Sequence, residues 1–411
     1  TRTLPPSKGS GMTTTLATVQ RPLLPLLLAL SGAHFLNDLI SSMIPATYPL
    51  LKEAYRLDFV QVGLITVAFQ VTASLLQPIV GFLTDRKQWP YAMVVGMGAT
   101  LVGLFLLASA TQYATVLVSA SLIGLGSAVF HPEATRMARH AAAGQQGFAQ
   151  GVFQIGGHAG IAVGPLLAAV IVVPYGLTSI AWMSVVALLA MVVMAWTGAR
   201  YAEMRSAQVS AGRSRPAAPT QSVLPGRRVL MAMTVLVLLL MSKNAYTATF
   251  TNYYTFYLME RFGVTLQLSQ FMLFLYLVVG ALGVIVGGVL GDRFGRLGVI
   301  WLSILGTLPF ALLLPYANLF WTGALSVLIS FIIASAFSSI LIYAIDLVPH
   351  RVGMVGGLFY GLSFGLGGVA AAALGVLADQ IGIVAMFKHA AWLPALGLLT
   401  FFLPRTPHER A

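Results

Sequence analysis

The chain contains no cysteine, which excludes disulfides, thiolate metal sites and thiol chemistry. It is also short of charge. Only 8% of its 411 residues are Asp, Glu, Lys or Arg, against about a quarter in ordinary soluble domains, so a soluble globular fold is excluded as well. No Walker-type phosphate loop, His-Glu-x-x-His pair or Asp-rich metal motif is present, which argues against an ATP-driven pump or a metal-dependent membrane enzyme. No enzyme activity, metal or cofactor is therefore expected.

What the chain has is hydrophobic length: 58% of its residues are hydrophobic and the mean hydropathy is +0.87. The apolar stretches reach about 20 residues, too long for the alternating strands of an outer-membrane barrel, so the spans are helices. Bounded by Pro, Gly and charged clusters, they fall at 24–50, 59–83, 90–110, 113–135, 146–173, 177–199, 229–258, 267–290, 297–315, 319–346, 353–378 and 384–403. The fold class is all-α integral membrane, with twelve transmembrane helices in two pseudo-symmetric six-helix bundles.

The expected organisation is a cytoplasmic tail at 1–22, a first bundle at 23–200, a linker at 201–227, a second bundle at 228–404 and a cytoplasmic tail at 405–411. The linker region, YAEMRSAQVSAGRSRPAAPTQSVLPGRR, is polar, basic and Pro-containing, without apolar periodicity. Residues Thr1 to Gly11 precede the first methionine, Met12, and read as a tail outside the fold, and no cleavable signal peptide is expected. With the N-terminus inside, 18 of the 23 Lys and Arg residues face the cytoplasm, while Lys52, Arg56, Arg261 and Lys388 face out and Lys243 lies within a span. That bias places a multi-pass protein in a bacterial inner membrane with both termini cytoplasmic. It also accounts for the net charge of +12 without a nucleic-acid partner. Membrane lipid is the expected surrounding, and one twelve-helix chain can enclose its own path, so a monomer is expected.

Two short motifs occupy equivalent places in the halves: Gly81-Phe-Leu-Thr-Asp85-Arg86 and Gly288-Val-Leu-Gly-Asp292-Arg293-Phe-Gly295-Arg296. Glycine allows close helix approach, Asp can cap a neighbouring helix and Arg holds the membrane boundary, so these residues read as a conformational latch. The pattern resembles the loop signature of the major facilitator superfamily. The second copy matches it fully, while the first lacks the final Gly-Arg. Gly160-Ile-Ala-Val-Gly164-Pro165 is similar to the helix signature of that superfamily's drug/proton antiporters, although the same small residues serve plain helix packing. The buried Arg that many such antiporters carry in the fourth span is missing, with Ala120 and Ser121 in that region. Instead, Phe130-His131-Pro132-Glu133-Ala134 and His34-Phe-Leu-Asn37-Asp38 resemble the fosmidomycin-resistance subfamily of exporters.

Of the 11 acidic residues, only Asp38 and Glu133 lie away from span ends, loops and tails. A carboxylate at the bilayer midplane costs roughly 3 kcal/mol unless paired or wet, which makes Asp38 the first candidate. His34 lies one turn from Asp38, and His131 lies beside Glu133, where Pro132 is expected to open the helix. The proton-coupling candidates are Asp38, Glu133, His34 and His131. The bland alternatives are a Glu133–Arg136 salt bridge and a static Asp38–Lys243 pair. For substrate, Asn37, Gln154, His158, Lys243, Asn244 and Tyr246 are the candidates, because a cationic, polar patch inside the membrane suits a small organic anion. Tyr253, Tyr254 and Tyr257 read as an interfacial aromatic cluster. The resemblance implies a secondary transporter that exports a small antibiotic such as fosmidomycin in exchange for protons. The alternative is a proton-coupled importer of a sugar or organic anion.

Overall fold

A chain crossing hydrocarbon must satisfy every backbone N–H and C=O within itself, and the helix does this locally. The computed structural model describes residues 23–86, 89–142, 146–210, 226–348 and 352–404. Helices α1 (Leu24–Ala46), α2 (Phe59–Arg86), α3 (Ala92–Ala108), α4 (Tyr113–Ala141), α5 (Gln146–Leu167) and α6 (Met183–Ser210) form the first half. The second half contains α7 (Gly226–Phe262), α8 (Leu266–Phe294), α9 (Arg296–Tyr316), α10 (Leu319–Leu347), α11 (Val352–Ile381) and α12 (Ile383–Phe402). Among the described residues, nine helical segments are long and apolar enough to cross a membrane. Three shorter apolar helices, Phe59–Ser74, Ala92–Ala108 and Gly365–Ile381, lie where the second, third and eleventh spans were expected. Side chains such as Val185, Leu230 and Phe320 point outward, more than two-thirds exposed, as a lipid-facing surface requires.

The helices depart from regularity where the sequence supplies a reason. Pro165 near the end of α5 is followed by a π turn at Ala168–Val172, and Gly176 then reverses the chain at φ 80°. Gly295, at φ 88°, breaks α8 from α9 where an L side chain would be strained. Pro132 was expected to open α4, but the helix runs continuously through it; losing one N–H does not unwind a helix packed against α1, α2 and α3. Residues 201–210, expected to be linker, continue α6. Ala202, Glu203, Met204 and Ala207 are good helix formers, and Tyr201 packs edge-on against His140, with ring centroids 5.3 Å apart.

Small residues set the helix spacing. In α5, Gly156, Gly160 and Gly164 lie so close to α1 that a Cβ would overlap the carbonyls of Ser31 and Phe35 or the hydroxyl of Ser42. In α4, Gly124 meets α2 and Gly126 meets α3 in the same manner. The two halves join chiefly through α2 against α11 and α5 against α8. One apolar core runs unbroken from the first half into the second near Phe250, Tyr253 and Phe387, whereas a separate core around Leu236, Ile300 and Phe359 stays within the second half.

Gly160→Val should therefore lower the apparent melting temperature of the purified protein by about 3–10 °C, the effect of overpacking a close helix contact. Gly32→Ala should leave it within about 1 °C, since a Cβ there meets nothing within 4 Å. Scanning fluorimetry in detergent would distinguish the pair, and equal melting temperatures would contradict this packing account.

Candidate functional site

His34 and Asp38 lie four residues apart on α1 and therefore on one face. The His34 ring stacks on Phe153 of α5, with centroids 4.1 Å apart, and fills the space left by Gly157, where a Cβ would strike the imidazole. Its Nδ1–H donates to the Phe153 carbonyl at 2.8 Å, which fixes the tautomer and turns Nε2 towards Asp38 Oδ2 at 3.2 Å. His131 approaches the same carboxylate from α4. Its Nδ1–H donates to the Ser127 carbonyl at 3.0 Å, and its Nε2 lies 3.6 Å from Asp38 Oδ1. Asn37 completes the surroundings by donating to Oδ1 at 2.9 Å. The side chains of His34, Asp38 and His131 are 5%, 12% and 18% exposed, so a little water reaches the cluster from the His131 side.

This arrangement requires a proton. Both Nδ1–H groups are committed to main-chain carbonyls, so a neutral His34 would aim a lone pair at an ionised carboxylate across 3.2 Å. One proton shared along His34 Nε2···Oδ2 Asp38 resolves the clash, whichever atom carries it formally. His34, Asp38 and His131 also present three ligand atoms within 4.8 Å of one another, the reach of one metal ion. The shared proton and Asn37 satisfy His34 Nε2 and the Asp38 carboxylate, while His131 Nε2 keeps a lone pair 3.6 Å from Oδ1.

Glu133 lies two residues beyond His131 but is bound elsewhere, to Arg136 Nη1 at 3.0 Å and 3.2 Å. Asp38 meets the two histidines and Asn37, and the contact considered with Lys243 is not formed among the described residues. Lys243, on α7, has Asn244 Oδ1 at 3.4 Å and the Phe337 ring of α10 at 5.5 Å. No carboxylate among the described residues lies within ion-pair distance of it. A buried ammonium without an acidic partner is costly in hydrocarbon and favours an anion or water beside it. His158, whose Nδ1–H donates to the Gln154 carbonyl at 2.9 Å, is within electrostatic reach of Lys243, Asp38 and His34. The Lys243 ammonium and the His158 imidazole thus come from different halves of the chain.

Tyr246 is buried and packs edge-on against Phe250, while Asn244 is buried next to Lys243. Tyr253, Tyr254 and Tyr257, expected at the membrane interface, are instead fully buried. Tyr257 stacks on Phe387 at 4.3 Å, and Tyr254 bonds Ser326 at 3.0 Å; mutual packing across helices covers them more completely than headgroups could.

In the second latch motif, Arg296 pairs with Asp346 of α10, Gly291 sits against Ser339 and Arg293 is exposed. Gly288 faces open space. The side chains at Gly81, Asp85, Arg86 and Asp292 lie outside the described residues. In the antiporter-type motif, Gly160 and Gly164 pack on α1, and Pro165 precedes the π turn. Sequence reasoning missed Phe153 and Ser127, which act through main-chain carbonyls and so leave no signal in side-chain type.

The Major Facilitator Superfamily family model matches residues 30–372 and 244–411. The chain is 50% identical over 381 residues to the fosmidomycin resistance protein of Escherichia coli, covering 93% of each. It is 38% identical over 391 residues to the uncharacterized MFS-type transporter YfnC of Bacillus subtilis, covering 94% of this chain and 95% of that protein. Among solved structures, a mutant of the nucleoside transporter NupG superposes with a TM-score of 0.71 at 13% identity, covering 92% of this chain and 100% of that one. An inward-facing, occupied bacterial homolog of the human lysosomal transporter Spinster gives 0.68 at 14%, covering 92% and 94%. At these identities the structural likeness speaks to the fold alone.

Gly157→Ala should push the His34 ring off Phe153 and out of the Asp38 contact, cutting function at least about ten-fold while the protein still folds. Survival of cells on the transported toxic compound, set against the amount of folded protein recovered, would measure it. Unchanged survival at equal protein would show that the position of His34 is immaterial.

Proposed function

The chain belongs to the Major Facilitator Superfamily, and on that premise we propose that it exports fosmidomycin or a similar small phosphonate in exchange for protons. It is a multi-pass membrane transporter and not an enzyme. In this reading the first bundle, 23–200, and the second, 228–404, rock about a central path, joined by the linker at 201–227. The tails at 1–22 and 405–411 are cytoplasmic, the membrane is the bacterial inner one, and a single chain forms the path within the lipid.

The single observation that carries this reading is the Asp38 carboxylate held between His34 of its own helix and His131 of α4, with His34 anchored on the Phe153 carbonyl of α5. Removing the shared proton leaves acceptor facing acceptor on α1, so His34 or Asp38 must turn away, and that turn breaks the His34 bond to Phe153 of α5 or the Asp38 contact with His131 of α4. Proton occupancy is thereby tied to helix position. Lys243 supplies positive charge and His158, from the opposite half, an imidazole that can take up a proton beside an anion, which suits the anionic end of a phosphonate held between them. Asn37 positions Asp38; Gln154, Asn244 and Tyr246 shape the surroundings of the substrate. Glu133, given to Arg136, serves as a secondary proton site or a structural pair. The residues Gly81, Asp85, Arg86, Gly288, Asp292, Arg293, Gly295 and Arg296 latch the cytoplasmic ends, and the Arg296–Asp346 pair supports that role.

Antiport requires that drug and proton not be held together, so each must weaken the other's binding. Fosmidomycin added to purified protein should release protons, its apparent affinity should fall as pH falls, and Asp38→Asn should abolish the release. Glu133→Gln should alter it far less. A cavity acting through charge alone would do the reverse, because a proton favours a nearby anion. Proton uptake on binding and tighter binding at low pH would therefore replace this reading with the proton-coupled importer. Failure to bind fosmidomycin at all would remove the phosphonate assignment.

A further inference from the structure

Among the described residues, the hydrogen bonds that join the two halves gather at one end of the molecule, around the start of α2. Gln270 of α8 donates to the Ala46 carbonyl at 2.6 Å, and Thr66 of α2 donates to Asn252 Oδ1 of α7 at 2.6 Å, with Tyr48 bonded behind Thr66. Tyr253 of α7 reaches across to the Phe59 carbonyl at 3.4 Å, while within its own half it donates to the Ala371 carbonyl of α11 at 2.6 Å. At the exposed edge of this contact is Asp379, near the end of α11. Its Oδ1 accepts from the Phe59 main-chain N–H and its Oδ2 from that of Val60, both at 2.8 Å.

We propose that Asp379 is the gating residue that holds this end of the transport path shut, by capping with its carboxylate the N-terminus of a helix from the opposite half. The first N–H groups of a helix have no partner in their own helix, and they carry the positive end of its dipole. Here those groups belong to a 28-residue helix of the first half, and the carboxylate that satisfies them is some 320 positions away in the second half. Both oxygens are spent on the contact, so it exists only while α2 and α11 touch. The approach is tight: a Cβ at Gly375 would overlap the Phe59 carbonyl, and one at Gly63 would overlap the Ala371–Ala372 backbone. Phe59 is further held through its ring, which meets Phe256 edge-on at 5.2 Å and lies 4.3 Å from Lys52 Nζ. Parting the halves at this end must break both hydrogen bonds to Asp379 together, while Asp58, the acid just before α2 in its own half, accepts from the Gln61 N–H at 2.6 Å.

The inference goes beyond the proposed transport reaction, since it concerns which end is closed and by what, whatever the cargo and coupling ion. Because the chain has no native cysteine, a pair of introduced cysteines carries spin labels at two defined positions only. Glu53→Cys before α2 and His389→Cys on α12 are exposed and lie on opposite halves beside this contact. Their distance distribution, measured by electron–electron resonance on the full-length protein in nanodiscs without substrate, should show one dominant short population in the parent. Asp379→Ala should raise the ratio of a longer population to the short one about ten-fold, as expected when two charge-assisted hydrogen bonds present in only one state are lost. Asp379→Asn, which keeps one acceptor oxygen, should fall between the two. Gly375→Ala, which pries the same contact apart by bulk, should also lengthen the distance. If Asp379→Ala and Gly375→Ala both leave the distribution unchanged in monodisperse protein, Asp379 holds nothing shut and the proposal is wrong. A shift with Gly375→Ala alone would assign closure to packing and likewise remove the role of Asp379.

Discussion

A carboxylate in the middle of a membrane must find positive charge, protons or water, and the first half of this molecule is arranged around meeting that demand for Asp38. The residue cannot be satisfied from its own helix alone. His34 lies one turn away but needs the Phe153 carbonyl to orient it, and the second imidazole comes from α4. Three helices are thus tied to the protonation of one side chain, and the glycines of α5 are what let that helix come near enough to take part. Packing and electrostatics constrain each other here: widen the α1–α5 contact and the histidine loses its anchor; remove the proton and that anchored histidine faces Asp38 as one acceptor against another.

The second half makes the complementary provision. It carries Lys243 without an acidic partner among the described residues, at a depth where an uncompensated charge is expensive. A negative charge entering between the halves would relieve that cost, and doing so would draw on His158 of the other half as well. In the proposed cycle one half presents a device for a proton and the other an attraction for an anion, and the boundary between them would be the surface that moves.

The spans and the class of the fold are legible in the sequence because hydrocarbon leaves so few alternatives: an apolar run of that length, free of charge, has to be a helix. Asp38 and His34 are legible for a related reason, since an acid is conspicuous in such a run and helical spacing places its neighbour. Other features are hidden. The nearness of His131 to Asp38 instead of Glu133 depends on how α4 is rotated against α1, which no local pattern encodes. Phe153 and Ser127 contribute carbonyl groups, which every residue possesses. Asp379 reads as an ordinary acid at a helix end, and only the folded chain reveals that the start of α2 is above it. The buried tyrosines of α7 were misplaced because amphipathic rings suit a headgroup boundary and a packed aromatic core equally well; the partners that decide, Phe387 and Tyr276, lie far along the chain.

The unbroken apolar core at the Phe59 end carries a thermodynamic implication. Opening that end would wet aromatic surface from Phe59, Tyr253 and Phe256, and newly hydrated apolar surface adds heat capacity. The balance between the two forms would then bend with temperature instead of following a straight van 't Hoff line. Since apolar burial weakens on cooling, the open form would gain ground in the cold. A cell that meets a chill would find the resting pose of this protein altered with no change in any ligand.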